Sequence, residues 1–303
     1  MFEQLKTRLI NWRSRLDIYA LKNRWQFKRQ HIIILILALY LIWVIIWGVA
    51  IFGRKVFNEK VIFAAYTFPY PAAFINGRPL FLTEFYRHKK YVLYFSSQTK
   101  QTPPSDKEIL DTLIKDDLIR RESAKKGIRI ASAEVESTFE QIAKDKGGKE
   151  QILKVLEGLY KMKESDFKRL IKKRIYEERF RSEVLVNVKA RHIMMGSESE
   201  ANEILEKVKK GEDFAELAKK FSKDASTKDK GGDLGWFSRD TYPAELEGPA
   251  FELKAGEVYP KPSKSPLGWH VIKTDERRGS IDLNFNQWFS ATKQKSVVWR
   301  LVD

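Results

Sequence analysis

The stretch "FSKDASTKDKGGDLGWFSRD", Phe221 to Asp240, changes character halfway along. It opens as a helix end, breaks into small and charged residues, and closes on Gly231-Gly232-Asp233-Leu234-Gly235-Trp236-Phe237. Glycine permits tight turns with positive φ, so this loop is built to present one leucine and two aromatic rings. Around it, from Val188 to Arg278, the chain reads strand, helix, helix, strand, helix, strand. "VKARHIMM" is a strand, and Ser197 or Ser199 precedes the helix "EANEILEKVKKG". "EDFAELAKKFS" and "PAELEGPAFEL" are helices, while "DLGWFS" and "GWHVIKTDERR" are strands. The fold class is α+β, with helices packed on a small, mainly antiparallel sheet.

The formal charge of the 303 residues is +16, and its distribution matters more than its size. Residues 1–30 carry eight Lys/Arg against two acids, whereas residues 188–278 carry 17 of each. The positive charge therefore lies outside the module that holds the opening stretch. No zinc-finger spacing, RNP-like strand or basic heptad region accompanies it, so no nucleic-acid partner is expected. The absence of cysteine excludes disulfides, thiolate nucleophiles and Cys-based zinc sites.

"IIILILALYLIWVIIWGVAIF", Ile32 to Phe52, is uncharged and long enough as a helix to span about 30 Å of hydrocarbon. It reads as a retained anchor, because thirty residues precede it and it exceeds a signal-peptide core. Arg13, Arg15, Lys22, Arg24, Lys28 and Arg29 precede it, against Arg54, Lys55 and Lys60 after it. That balance predicts a cytoplasmic N-terminus and an extracytoplasmic body on a single-pass protein of the cell (inner) membrane. The basic tail could also lie on anionic headgroups as an amphipathic helix.

After the anchor, residues 54–72 read as a linker, since "AAYTFPYPA" is aromatic and interrupted by proline. A short strand, an Asn76-Gly77 turn and a helix capped by Thr83 follow. Amphipathic helices are then expected over Asp106–Lys126, from Ser132 to about Lys146, and from a cap at Ser165. "FINGRPLFLTEF", "LDTLIKDDLIRRESAKKGIRIASAEVESTFEQI" and "LIKKRIYEERF" resemble the helical domain of the SurA- and PrsA-type foldases, over residues 73–187. In residues 188–278, "RHIMM", "GEDFAELAKKFSKDAST", "GGDLGWFSR", "PAFELKAGEV" and "GWHVIKTDERR" keep the order and spacing of the parvulin (PpiC-type) peptidyl-prolyl cis-trans isomerases.

That resemblance implies the rest of the reading. His192 and His270 match the family's paired histidines, and Asp224 falls where parvulins carry Cys or Asp. Leu234, Phe237, Tyr242, Leu246 and Phe251 match the apolar groove that receives proline, with Trp236 and Phe237 expected at its rim and floor. Tyr242 and Leu246 depart from the usual Met and Phe. The two histidines could equally serve only to stabilise the sheet by bonding one another. Two histidines and one acid make an incomplete metal site, so neither metal nor cofactor is expected. The implied function is a membrane-anchored foldase that isomerises X-Pro bonds in translocated, unfolded, proline-containing polypeptides and holds them as a chaperone. The alternative is a non-catalytic chaperone or assembly factor using the parvulin fold as a peptide-binding module. The final segment, 279–303, is expected to form a helix near Phe285–Lys295 and a strand from Val297 to Val302, returning onto the helical domain through Phe285, Trp288 and Phe289.

Overall fold

The computed structural model describes residues 30–53 and 59–302. The basic tail, with its amphipathic reading, and Arg54 and Lys55 of the outer flank lie outside the described residues. The chain divides into two compact units. The first takes the described residues through Phe74, then Pro79–Arg87 and the chain from Trp299; the second takes Ile75–Arg78 and His88–Val298.

In the first unit, α1 (Gln30–Gly53) is long and apolar enough to cross a membrane by length and composition. Its last turn, Val49–Gly53, is π-helical. Helix α2 (Glu59–Thr67) occupies the stretch expected to be a linker. Pro69 and Pro71 lie beyond its end, so nothing within it opposes a helix, and Val61, Ala64 and Ala65 are buried. Strands β1 (Pro71–Ile75) and β2 (Arg78–Phe81) follow, and Asn76 and Gly77 between them have φ of 51° and 75°. Two successive positive φ values suit the mirror-image turn that matches strand twist, as the Asn-Gly pair implied. Helix α3 (Leu82–Thr99) begins one residue ahead of the expected Thr83 cap.

The second unit continues with α4 (Asp106–Lys125), α5 (Ser132–Asp145), α6 (Lys149–Tyr160) and α7 (Glu164–Arg179). Ser105 and Glu108 cap α4 reciprocally, and α4 buries Ile109, Leu110, Leu113, Ile114, Leu118 and Ile119 along one stripe. Helix α7 starts after Lys163, ahead of the expected Ser165 cap. Helix α6 escapes the sequence reading because its ends lack signals. It starts after Gly148 without a side-chain cap and stops at Lys161, a non-glycine residue in the left-handed region.

A π-helical turn, Phe180–Val184, leads into β3 (Asn187–Met195). Then come α8 (Glu198–Lys209, capped by Ser197), α9 (Phe214–Phe221), β4 (Asp233–Ser238), α10 (Ala244–Glu252), β5 (Ser263–Ser265) and β6 (Gly268–Arg278). The strands form one antiparallel sheet in the order β4-β3-β6-β5, of which β5 was not anticipated. Side-chain alternation assigns its two faces. Ile193, Met195 and Val271 pack with Ala201, Ile204 and Leu205 of α8 and Phe214, Leu217 and Ala218 of α9. Val188, Ala190 and Ile272 pack instead with Phe237 and with Leu246, Ala250 and Phe251 of α10.

The chain enters and leaves this sheet at adjacent points. Asn187 pairs with Arg278, and Val186 N–H donates to Ile281 O at 2.9 Å. Helix α11 (Phe285–Lys295) then packs Trp288 on Phe180, with ring centroids 4.1 Å apart, while Lys293 pairs with Asp111 of α4 at 3.0 Å. The last strand, β7 (Val298–Arg300), lies beside β1 in the sheet ordered β2-β1-β7.

Candidate functional site

The site grows from the face of the sheet that meets α10. His192 stands two residues beyond Ala190 on β3, and His270 two before Ile272 on β6, so both rings share that face. In register, His192 lies opposite Ile272 and His270 opposite Met194. The two imidazoles are thus diagonal neighbours, within reach for ring side chains. Their planes lie 9° apart with centroids at 5.2 Å, and the two Nδ1 atoms are separated by 3.1 Å.

The outer nitrogens fix the direction of the hydrogen bonds. His192 Nε2 is 2.8 Å from Asp224 Oδ2 and 3.0 Å from Thr227 Oγ1. Asp224 also accepts from Thr227 Oγ1 at 2.5 Å, and from Ser226 Oγ and N at 2.8 and 3.1 Å. Burial works against its charge, but the bonds from Thr227, Ser226 and His192 together outweigh it and hold its carboxyl far below the usual range. An ionised carboxylate only accepts, so the Nε2 proton of His192 belongs in that bond. Neutral His192 then accepts at Nδ1, and His270 must donate from its own Nδ1. His270 Nε2 is left as an acceptor, 2.7 Å from Ser265 Oγ, whose hydroxyl supplies the proton. Hydrogen-bond complementarity therefore assigns a single ordered chain: Ser265 to His270 to His192 to Asp224.

Both rings are buried and neutral. Burial lowers the pKa of His192, with Asp224 opposing in part. Burial, and then the neighbouring His192, pulls His270 down to about 4. A proton added at His192 Nδ1 would face the donating Nδ1–H of His270, and one added at His270 Nε2 would face the donating hydroxyl of Ser265, so this ordered chain holds only while both rings are neutral.

The glycines of the opening stretch now acquire specific tasks. His192 N–H donates to Gly232 O at 2.9 Å, and a Cβ on Gly232 would sit 2.2 Å from His192 O. The loop that carries Asp224 and Thr227 can lie this close to β3 only because Gly232 has no side chain. Gly235, with φ of 70°, sits at a bulge: Ala190 pairs with Gly235 and Arg191 with Asp233, leaving Leu234 as the extra residue. The bulge turns Leu234 out of strict alternation and onto the cluster of Phe237, Leu246 and Phe251.

The expected groove residues converge on that cluster. Phe237, Leu246 and Phe251 are buried and form its floor, while Leu234 and Tyr242 are half-buried at its edge. Tyr242 stands edge-on to Phe237 with centroids 4.9 Å apart, and its hydroxyl donates to Leu234 O at 3.3 Å. Trp236 does not join them. It pairs with Lys189 while Phe237 pairs with Val188, so it points to the other side of the strand and carries Arg278 over its ring at 4.1 Å. Sequence reasoning also missed Thr227 and Ser265. A hydroxyl three residues after Asp224 was a turn signal, and "SKSPLGWH" was a hairpin signal that would have set Ser263 opposite His270, with Ser265 closing its turn.

Residues 184–276 match the family model described as Rotamase, the PPIC-type PPIASE domain. The chain is 37% identical over 190 residues to the foldase protein PrsA of Caldanaerobacter subterraneus subsp. tengcongensis, covering 57% of this chain and 60% of that one. It is 35% identical over 186 residues to the foldase protein PrsA 2 of Bacillus cereus, covering 57% and 64%. It is also 31% identical over 204 residues to the foldase protein PrsA 2 of Bacillus anthracis, covering 60% and 70%. The chain thus spans a little under two thirds of the length of the first two of these relatives.

Proposed function

This chain belongs to the PrsA foldase family, and from that premise we propose that residues 188–278 catalyse rotation about X-Pro peptide bonds in unfolded polypeptides. The observation that carries the reading is the sharing of one sheet face by the buried imidazole pair and the apolar cluster of Leu234, Phe237, Tyr242, Leu246 and Phe251. Rotation about a peptide bond faces a barrier of about 20 kcal/mol, because the nitrogen lone pair is delocalised into the carbonyl. The planar amide is the more polar state, so an apolar surface that excludes water raises it relative to the twisted one. Phe237, Leu246 and Phe251 supply that surface beneath the proline ring, with Leu234 and Tyr242 as its edges.

The polar chain does the complementary work. His192 and His270 are held neutral, in one tautomer and one orientation, by Asp224 at one end and Ser265 at the other. They give the site a fixed array of dipoles for the rotating carbonyl, with no reorganisation during the turn. No bond is made or broken, so no nucleophile is needed. Asp224 acts on substrate only through His192, as a positioning residue.

The whole chain is read as a single-pass foldase of the cell membrane, with a cytoplasmic N-terminus and an extracytoplasmic body. Supports are the span of α1 and the surplus of Lys/Arg ahead of it. Its substrates would be polypeptides that unfold or have yet to fold on the far side, held also by the helical part. There α6 leaves Val155 and Leu159 about 40% exposed above Leu156 and Met162.

The test is the cis-to-trans relaxation of a proline-containing tetrapeptide with the full chain in detergent micelles. A rate well above buffer is expected, and His270→Ala should reduce it per folded molecule. Rates equal to buffer, with peptide still bound, would overturn isomerisation and leave a peptide-binding module. Release of the chain from membranes by alkaline wash would refute the anchor. A cysteine at Ser199, in a chain with no other, should be labelled only from the extracytoplasmic side; labelling from the cytoplasmic side would refute the orientation.

A further inference from the structure

The wall residue that departs from the family pattern is held by a group outside the polar chain. Glu247, in the first turn of α10, is buried, and its carboxylate accepts three consecutive backbone N–H groups. Asp240 N–H reaches Oε2 at 2.9 Å, while Thr241 and Tyr242 N–H reach Oε1 at 2.5 and 2.8 Å. Asp240 adopts a left-handed conformation, φ 66°, that a non-glycine residue enters at some cost. Those amides belong to the loop between β4 and α10, whose residues Asp240 and Thr241 are exposed. It is the Glu247 side chain that is buried, and the three amides are the partners its oxygens need there. The loop ends on Tyr242, whose ring lies against Phe237 and whose hydroxyl reaches back to Leu234 O.

We propose that Glu247 is a positioning residue that sets the wall of the prolyl slot. By gathering the amides of Asp240, Thr241 and Tyr242 it fixes the loop, and through the loop the angle at which the Tyr242 ring meets the groove. Affinity for the prolyl segment is then decided by a carboxylate that never touches it. This rests on the reading of the Leu234–Phe251 cluster as the proline-binding slot.

Glu247→Gln is nearly isosteric but turns one acceptor oxygen into an amide donor facing the loop N–H groups. With the full chain in detergent micelles, the substitution should raise KM for a prolyl tetrapeptide about tenfold and leave kcat within about twofold, the pattern of lost ground-state binding. In a Tyr242→Ala background the same substitution should raise KM less than twofold, because the wall it positions is already gone. Amide hydrogen exchange at residues 240–242 should quicken in Glu247→Gln while β3 and β6 stay protected. A full tenfold effect that persists in the Tyr242→Ala background overturns the proposal, as does unchanged KM. Should Glu247→Gln not fold, Glu247→Asp keeps the charge on a shorter arm and should give an intermediate rise; none would overturn the idea. If the unaltered chain binds no prolyl peptide, the slot reading fails, and the exchange at residues 240–242 still decides whether Glu247 orders the loop.

Discussion

Acid should destabilise the module of residues 188–278 before its carboxylates titrate, because two buried imidazoles must stay neutral. In the unfolded chain a histidine takes up a proton near pH 6.5, whereas folded His270 resists until about pH 4. The unfolded state therefore binds more protons throughout the window from 6.5 down to 4, and stability falls as pH falls through it. At pH 7 neither state is much protonated. At pH 5 the unfolded imidazole is almost fully charged and the native one almost fully neutral, so His270 alone removes up to about 2 kcal/mol between pH 7 and 5. His192 is shifted in the same direction and adds to the loss. Asp224 does not, because its stabilisation is lost only below the unfolded carboxylate range. The assay is urea unfolding of the full chain in micelles at pH 7, 6 and 5, followed by amide hydrogen exchange of β3 and β6, the strands that carry His192 and His270. Replacing His270 with Gln should flatten the slope between pH 6 and 5 by close to one proton. An unchanged slope in that variant, or constant stability from pH 7 to 5, would refute the neutral, ordered pair.

Two other substitutions probe the supports of that pair. Gly232→Ala places a Cβ 2.2 Å from His192 O at a φ of 77°, so it should cost about 3 kcal/mol or more, read as a fall in melting temperature. Ser265→Ala removes the proton donor to His270 Nε2 and should raise the pKa of that imidazole, read by the shift of its ring protons with pH, with a stability loss of only about 1 kcal/mol.

What the sequence disclosed depended on whether the signal was periodic or conformational. The two faces of β3 could be read from alternation, and the exact span of β6, Gly268–Arg278, came out of "GWHVIKTDERR". Helix α11 was equally legible, because Asn284 and Gln287 cap it and charges end it. Helix α6 was not, since Lys161 closes it in a conformation that sequence usually assigns to glycine. Helix α2 was not legible for a related reason: the prolines that suggested an irregular stretch sit after it rather than within it.

The site shows the same division more sharply. His192, Asp224 and His270 could be named by position, yet nothing in their spacing says which nitrogen carries a proton. That follows only from Asp224, whose charge makes it accept, and from Ser265, which a five-residue hairpin return brings to the far ring. Alternation likewise puts Leu234 and Trp236 on one side of β4. It is the positive φ at Gly235 that separates them, sending Leu234 to the Phe237–Leu246–Phe251 cluster and leaving Trp236 under Arg278. A single backbone torsion therefore decides which apolar side chain joins the cluster beside the imidazoles, and it does so at the residue type whose φ a sequence constrains least. Two of the three glycines between Phe221 and Asp240 thus divide the work. Gly232 lets the acidic loop approach the imidazoles, and Gly235 lets the apolar edge turn toward the same face, so the polar and apolar halves of the site are joined by backbone rather than by side-chain chemistry.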